Sequence, residues 1–197
     1  VALMVIIWLK SWRIGLAAAV AGLVFILIVK PDLINQLVGG DEYSIDTRQV
    51  ARDILLGQVL RASPILGFGP ANYYWYTPIF PIMGYYVKFN SHNQYVDILL
   101  QTGVVGMACF LWLMGALGLL GWRLRERVPE GFARGYVNGA LGGLAAMLFA
   151  SALGDWVIPF VYNIGLNGFR ASALGWIFMG GLVALEQMTK NVPTFQR

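Results

Sequence analysis

Apolar residues in this chain gather into long uninterrupted runs, and the charges gather into short clusters between them. Residues 14–29, 103–121, 135–154 and 171–185 contain no Asp, Glu, Lys or Arg. A helix rises about 1.5 Å per residue, so runs of this length approach or reach across the roughly 30 Å hydrocarbon core of a bilayer. The last run starts slightly earlier if Arg170 snorkels to the interface. The pattern predicts four spanning helices. Residues 1–9 read as the end of a fifth, joined to the first full span by a basic turn of Lys10, Ser11, Trp12 and Arg13. Lys30 and Pro31 close that span, residues 95–101 make a more polar lead-in to the next, and Arg123, Arg125 and Arg127 end it. The chain opens on Val1, already apolar and without the pattern of a signal peptide, which we read as the interior of a longer protein.

Lys and Arg beside spans favour the cytoplasmic side. With alternating helices, Lys10 and Arg13, the Arg123 to Arg127 cluster with Arg134, and Lys190 with Arg197 share that side. Two loops then face outward: a long one from Lys30 to about Ser91 and a short one from Asp155 to about Asn167. The expected fold is an all-α polytopic membrane protein. Residues 1–30 hold the end of one transmembrane helix, the basic turn and a second transmembrane helix; residues 31–92 form a structured external, periplasmic loop; residues 93–197 hold three transmembrane helices and a cytoplasmic tail.

Composition agrees with that solvent. Of 197 residues, 58% are hydrophobic and 12% charged, against about 25% charged in soluble domains, and the mean hydropathy is +0.64. The net charge of +4 sits largely in short loops beside the spans, where topology demands it, so nucleic-acid binding is discarded. Cys109 is the one cysteine, inside an apolar run, which excludes an intrachain disulfide and a cysteine metal cluster. Gly135, Gly139 and Gly143 have the small-xxx-small spacing that lets helices approach closely in lipid, and helix packing is the expectation for them. No internal repeat and no matched pair of interrupted helices is visible, which weakens a secondary-transporter reading.

The long external loop carries the candidate chemistry. Residues 46–61 read as a helix, with Asp46 as N-cap, Gln49 at capping-box spacing, and Val50, Ile54, Leu55 and Val59 on an apolar side. Arg48 and Arg52 then share a face, with Arg48 in the first turn, where free amides already favour an anion. Two guanidinium groups so placed suit a pyrophosphate, and equally Arg52 suits Asp53 or a lipid headgroup. Asp41, Glu42 and Asp46 bring negative charge near Arg48, which tempers anion binding or selects an acceptor; Arg61 reads as interfacial. Tyr73, Tyr74, Trp75, Tyr76, Phe80, Tyr85, Tyr86 and Phe89 are dense enough to pack, to line a membrane interface or to stack on a sugar. Between helix and aromatics, Pro64 to Pro70 makes a sharp turn whose Gly67 and Gly69 bring backbone close to another chain or a ligand.

His92, the single histidine, falls at the outer membrane boundary. A histidine there can accept a proton from a hydroxyl, and a lone interfacial histidine is also commonly structural. Gln94, Asp97 and Gln101 recur at helical spacing as a polar stripe, and an ionisable residue so close to a span faces a partner or a wet cavity. Asn93 and Asp97 are candidate supporting polar residues. No His and carboxylate cluster has metal-ligand spacing, and no metal or cofactor is expected.

In order along the chain stand Thr47-Arg48, then Pro64-Ile65-Leu66-Gly67-Phe68-Gly69, then Ser91-His92-Asn93-Gln94-Tyr95 and Gln101-Thr102-Gly103-Val104-Val105-Gly106. This ordered set resembles the signature domain of the O-antigen ligase and polymerase family, with an external-loop arginine, a PLxGxG turn and an HNxxL-like helix start ending in GxxG. The resemblance covers residues 43–113. It implies a GT-C-like helical bundle in the bacterial inner membrane, acting at the periplasmic face in cell-surface polysaccharide and lipopolysaccharide biosynthesis. It further implies a metal-independent, inverting glycosyltransferase that moves a glycan from undecaprenyl pyrophosphate to a sugar or lipid A-core hydroxyl. His92 is then the general base, Arg48 holds the donor pyrophosphate, Arg52 is a second contact, and Gly67 and Gly69 form a turn near the donor. The family also uses an arginine from an earlier external loop, for which this chain offers no residue, so the chain alone is expected to be inactive. A non-catalytic polysaccharide transporter or flippase-like protein, with His92 and Asp97 on a proton pathway, and a protein O-oligosaccharyltransferase are the alternatives.

Overall fold

The computed structural model describes residues 1–29, 42–155, 157–158 and 161–191. Lys30 and Pro31, Asp41 and the tail from residue 192 with Arg197 lie outside the described residues. Among the described residues every regular element is helical. Helices α1 (Ala2–Lys10) and α2 (Trp12–Val29) are parted only by Ser11, which is extended, so the basic turn is shorter than predicted. Helix α3 (Glu42–Ile54) runs on through a π-helical turn (Leu55–Val59) into a last α turn (Leu60–Ala62). Two 3-10 turns, Tyr73–Trp75 and Thr77–Ile79, lead towards α4 (Gln94–Arg127), followed by α5 (Phe132–Ser151) and α6 (Val161–Asn191). The connection between α5 and α6 is shorter than expected, because α6 already includes Asn167.

Helices α4, α5 and α6 pack around one apolar core. Phe110, Met114, Leu117, Gly121 and Leu124 form the buried stripe of α4, and Val137, Ala140 and Leu144 of α5 with Met179 and Leu182 of α6 fill the other side. Their three- and four-residue steps keep one face inward on each helix. Helix α1 packs on α5 and α2. The glycine expectation needs correction here: a Cβ on Gly135, Gly139 or Gly143 would meet nothing within 4 Å, while one on Gly142 would stand 2.8 Å from the Ala2 carbonyl oxygen. The close approach uses the glycine one step round the helix.

One described helix, Gln94–Arg127, is long and apolar enough to cross a membrane, and Trp12–Phe25 is a shorter apolar helix. Helix α5 carries Arg134, Asn138 and several glycines, and α6 carries Asn167 and Arg170, which dilute their apolar character. Helix α4 turns much of its apolar surface outward: Val104, Val105, Leu111, Leu119 and Trp122 are exposed, and Trp112 is 74% exposed.

Helix α4 is interrupted at Gly103, whose backbone (φ 64, ψ −166) is not helical. A break inside a helix frees carbonyls before it and amides after it, and buried backbone groups must find partners. The 64–69 turn supplies them. The amides of Phe68 and Gly69 donate to the carbonyls of Leu100 (2.9 Å) and Gln101 (2.8 Å), while those of Val104 and Val105 donate to the carbonyls of Pro64 (3.0 Å) and Ile65 (3.3 Å). Both glycines are required for this approach: a Cβ on Gly67 would stand 2.5 Å from the Gln101 carbonyl carbon, and one on Gly103 2.1 Å from the Ile65 oxygen. The 64–69 turn is thereby spliced, backbone to backbone, onto the long helix.

Candidate active site

The loop has its own small core. Leu55 and Val59 from the π-helical turn that continues α3 meet Tyr73, Val96 and Leu100, with Phe68, Phe80 and Phe89 packed around them. Ala51, Leu55 and Val59 are all buried at four-residue steps, and this face seats α3 on the first turns of α4. The aromatics therefore divide: Tyr73, Phe68, Phe80 and Phe89 pack inward, whereas Trp75, Tyr76, Tyr85 and Tyr86 are exposed. Lys88 lies over the Trp75 ring, with Nζ 3.2 Å from its centroid.

The start of α3 differs from the sequence expectation. The helix begins at Glu42, so Asp46 is inside it and is not its N-cap, and Arg48 stands beyond the first turn. The argument from free helix-end amides falls, because those amides lie upstream. The shared face survives: Arg48, Gln49 and Arg52 line a pocket of about 170 Å³ together with Ser91, His92, Ala152 and Leu153. Groups from α3, from the approach to α4 and from the loop after α5 thus face one cavity. Arg61, in the last turn after the π-helical segment, is exposed.

His92 is presented by local backbone chemistry. Its φ is 46, in the left-handed region that non-glycine residues seldom occupy. On either side, Ser91 Oγ donates to the Asn93 carbonyl (2.8 Å) and accepts from the Asn93 amide (3.2 Å). Asn93 then caps α4, its Oδ1 accepting from the amides of Tyr95 (3.1 Å) and Val96 (3.2 Å). The turn holds the imidazole at the pocket, where burial against the walls pushes its pKa below the ordinary value; Asp155 pulls it back up and Arg48 pushes it further down. A histidine so placed is neutral near pH 7, the form that accepts a proton.

The polar stripe of α4 serves the architecture of the loop. Asp97 is fully buried and accepts from the Tyr73 hydroxyl (2.7 Å) and from Gln101 Nε2 (2.5 Å). Gln101 Oε1 in turn accepts from the Ala71 amide (3.0 Å). Gln94 faces elsewhere, its Oε1 accepting from the amides of Val157 and Ile158 (3.0 Å each). The structure thus brings Arg48, Arg52 and His92 together and sets Asn93 beside them as a cap. Gly67, Gly69 and Asp97 belong to the joint between loop and helix, outside the pocket wall. Ala152, Leu153 and Asp155 were not foreseen from the sequence, which placed Ala152 and Leu153 at the end of the 135–154 run and Asp155 at the start of the short loop after it. No group of three or more His, Cys, Asp or Glu among the described residues could hold a metal ion.

The family model described as O-Antigen ligase matches residues 1–111, more than half of the chain, and spans Arg48, Arg52, the 64–69 turn and His92. The chain belongs to the O-antigen ligase family. No curated protein and no solved structure matches it. The O-antigen ligase family is membrane-associated and has a glycosyltransferase-type activity in polysaccharide biosynthesis, acting on lipid-linked glycans and their acceptors. Arg48, Arg52 and His92, which line one pocket, all lie within the matched residues of this O-antigen ligase family member, while Ala152 and Leu153 of the same pocket lie outside them.

Proposed function

We propose that the protein transfers a glycan from undecaprenyl pyrophosphate to a hydroxyl of a second sugar or of lipid A core, with inversion at the anomeric carbon. The observation that carries this reading is the convergence of Arg48, Arg52 and His92 on one pocket. Neutral His92 takes the proton of the acceptor hydroxyl as its oxygen bonds to the anomeric carbon, and the bond from that carbon to the pyrophosphate oxygen breaks. The electron pair leaves with undecaprenyl pyrophosphate, whose growing charge Arg48 and Arg52 neutralise with bidentate donors. Charge on the leaving group is thus met by guanidinium, with no divalent ion in the scheme.

In this reading the helices span the bacterial inner membrane, residues 31–92 form the catalytic loop at the periplasmic face, and the parts 1–30 and 93–197 supply the spans. The outward apolar faces support it, since a bilayer is the solvent in which an exposed row such as Leu111, Trp112, Leu119 and Trp122 is favourable. The test is transfer of a labelled glycan from undecaprenyl pyrophosphate by the protein in its natural full-length form in proteoliposomes, with chelator present. His92→Ala should lower turnover by about 100-fold or more while leaving donor binding intact. Arg48→Ala should weaken donor binding and turnover together. Undiminished transfer by folded His92→Ala would remove His92 as the base.

A further inference from the structure

Residues 62–87 of the loop contain no Asp, Glu, Lys or Arg, although they fold as turns and form no spanning helix. At the tip of the 64–69 turn, Ile65 and Leu66 are 63% and 70% exposed. Two adjacent large aliphatic side chains held outward are unfavourable in water, and a contiguous apolar surface of this kind marks a place that something apolar covers. Helix α4 fixes where that place is. The carbonyls of Pro64 and Ile65 accept from the amides of Val104 (3.0 Å) and Val105 (3.3 Å), and the side chains of Val104 and Val105 are themselves exposed. The tip therefore adjoins the end of the outward apolar surface that α4 continues through Leu111, Trp112 and Leu119.

Residues 104–122 carry no charge; as a helix they measure about 28 Å, close to the roughly 30 Å hydrocarbon core of a bilayer. With Arg123 at one boundary, Gly103 and the turn packed against it stand at the other. Irregular backbone is tolerated at that depth only where its polar groups find partners within the protein. The turn meets this condition. The carbonyls of Ser63 and Gly67 accept from the Gly67 amide (3.0 Å) and from Ser63 Oγ (2.7 Å), those of Pro64 and Ile65 accept from α4, and the amides of Phe68 and Gly69 donate to α4. Beyond the turn, Tyr76 packs on Phe68 with ring centroids 4.8 Å apart, and Lys88 lies over the exposed Trp75. Such aromatic and cationic groups suit the headgroup layer, which water-borne reagents still reach. We propose that the tip of the 64–69 turn is a membrane anchor: Ile65 and Leu66 enter the acyl chains of the leaflet at which α4 begins, beside Val104 and Val105, and hold the loop that carries Arg48, Arg52 and His92 against the bilayer. The occupant of this surface is lipid. The inference rests on α4 crossing the membrane.

The test is the depth of a fluorophore attached at Leu66→Cys, in a Cys109→Ala background of the natural full-length protein, reconstituted into vesicles of phosphatidylethanolamine and phosphatidylglycerol. A nitroxide placed high on the lipid acyl chain should quench this label several-fold more than iodide present in the water on both sides, and more than a nitroxide at the chain end. Ile65→Cys should behave in the same way, and it decides the matter if Leu66→Cys does not fold. Two reference positions fix the scale: a label at Leu111→Cys, near the middle of the span, should be quenched best by the chain-end nitroxide, and a label at Trp75→Cys should stay open to iodide. Stronger quenching of the Leu66→Cys label by iodide would put the turn in water and overturn the anchor. Protection from both quenchers would give the surface to another segment of the protein and overturn it as well. In either case lipid quenching at Leu111→Cys keeps α4 as a span. Absence of lipid quenching at Leu111→Cys would remove the span, and the anchor with it.

Discussion

His92 occupies a left-handed backbone conformation one residue before the cap of α4, and such outliers persist only where their surroundings hold them. Here the holders are Ser91 and Asn93, which exchange bonds across it. The pH dependence of transfer follows from its neighbours. Burial and Arg48 both lower the His92 pKa, so the acid limb of kcat/KM should lie below about 6.5, the ordinary histidine value. Arg48→Ala removes one of the two lowering influences, so the limb should move to higher pH, whereas Asp155→Asn removes the raising influence and should move it to lower pH. Arg48→Lys keeps the charge and loses the bidentate fork, so the limb should stay near its wild-type position while KM for the lipid-linked donor rises. Rate profiles between about pH 5 and 8 check all three. At this scale Arg48, Arg52 and His92 were legible as candidates in the sequence, because the two arginines stand four residues apart on one helix face and His92 is the single histidine, at the edge of an apolar run. Asp155 was not: it lies more than sixty residues along the chain from His92, and only folding brings it near.

The joint between loop and helix depends on two elements broken in complementary ways. The 64–69 turn has amides to give where α4 has free carbonyls, and carbonyls to offer where α4 has free amides. Gly103→Ala should be severely destabilising, because its backbone lies in a region almost exclusive to glycine, which costs a side chain about 1 to 3 kcal/mol, and its Cβ would stand 2.1 Å from the Ile65 oxygen. Gly67→Ala should fail similarly, whereas Gly143→Ala, at a position facing open space, should be tolerated. Retention of the monodisperse peak in size-exclusion chromatography after graded heating in detergent measures this. The helical character of residues 46–61 was legible from apolar spacing, but the start of α3 was not. A capping-box spacing marks a start only if the chain upstream is not already helical, and residues from Glu42 onward are. The GxG turn likewise had two readings in the sequence, a ligand cradle or a close backbone approach, and the partner that chooses between them is the break at Gly103.

For the molecule as a whole, solvent and orientation are the quantities to test. Alkaline carbonate should leave the protein in the membrane pellet, and Leu111→Arg, on the outward face of α4, should impair insertion, at a cost of about 2.5 to 3.5 kcal/mol for a charge at mid-span. In a Cys109→Ala background, Trp75→Cys on the exposed part of the loop should react with a membrane-impermeant maleimide in intact cells. Arg123→Cys should react only after permeabilisation. Labelling of both in intact cells would overturn the assigned topology. Hydrophobic runs, charge clusters and the order of the motifs were readable in the sequence because each depends on residues close together in the chain, where spacing alone sets helix, turn or boundary. Which glycine meets a neighbour, which face of the polar stripe meets which loop, and which residues share the histidine's pocket were decided only in the tertiary structure. Those relations depend on the rotation and depth at which whole helices pack, which sum over many contacts and leave no local mark.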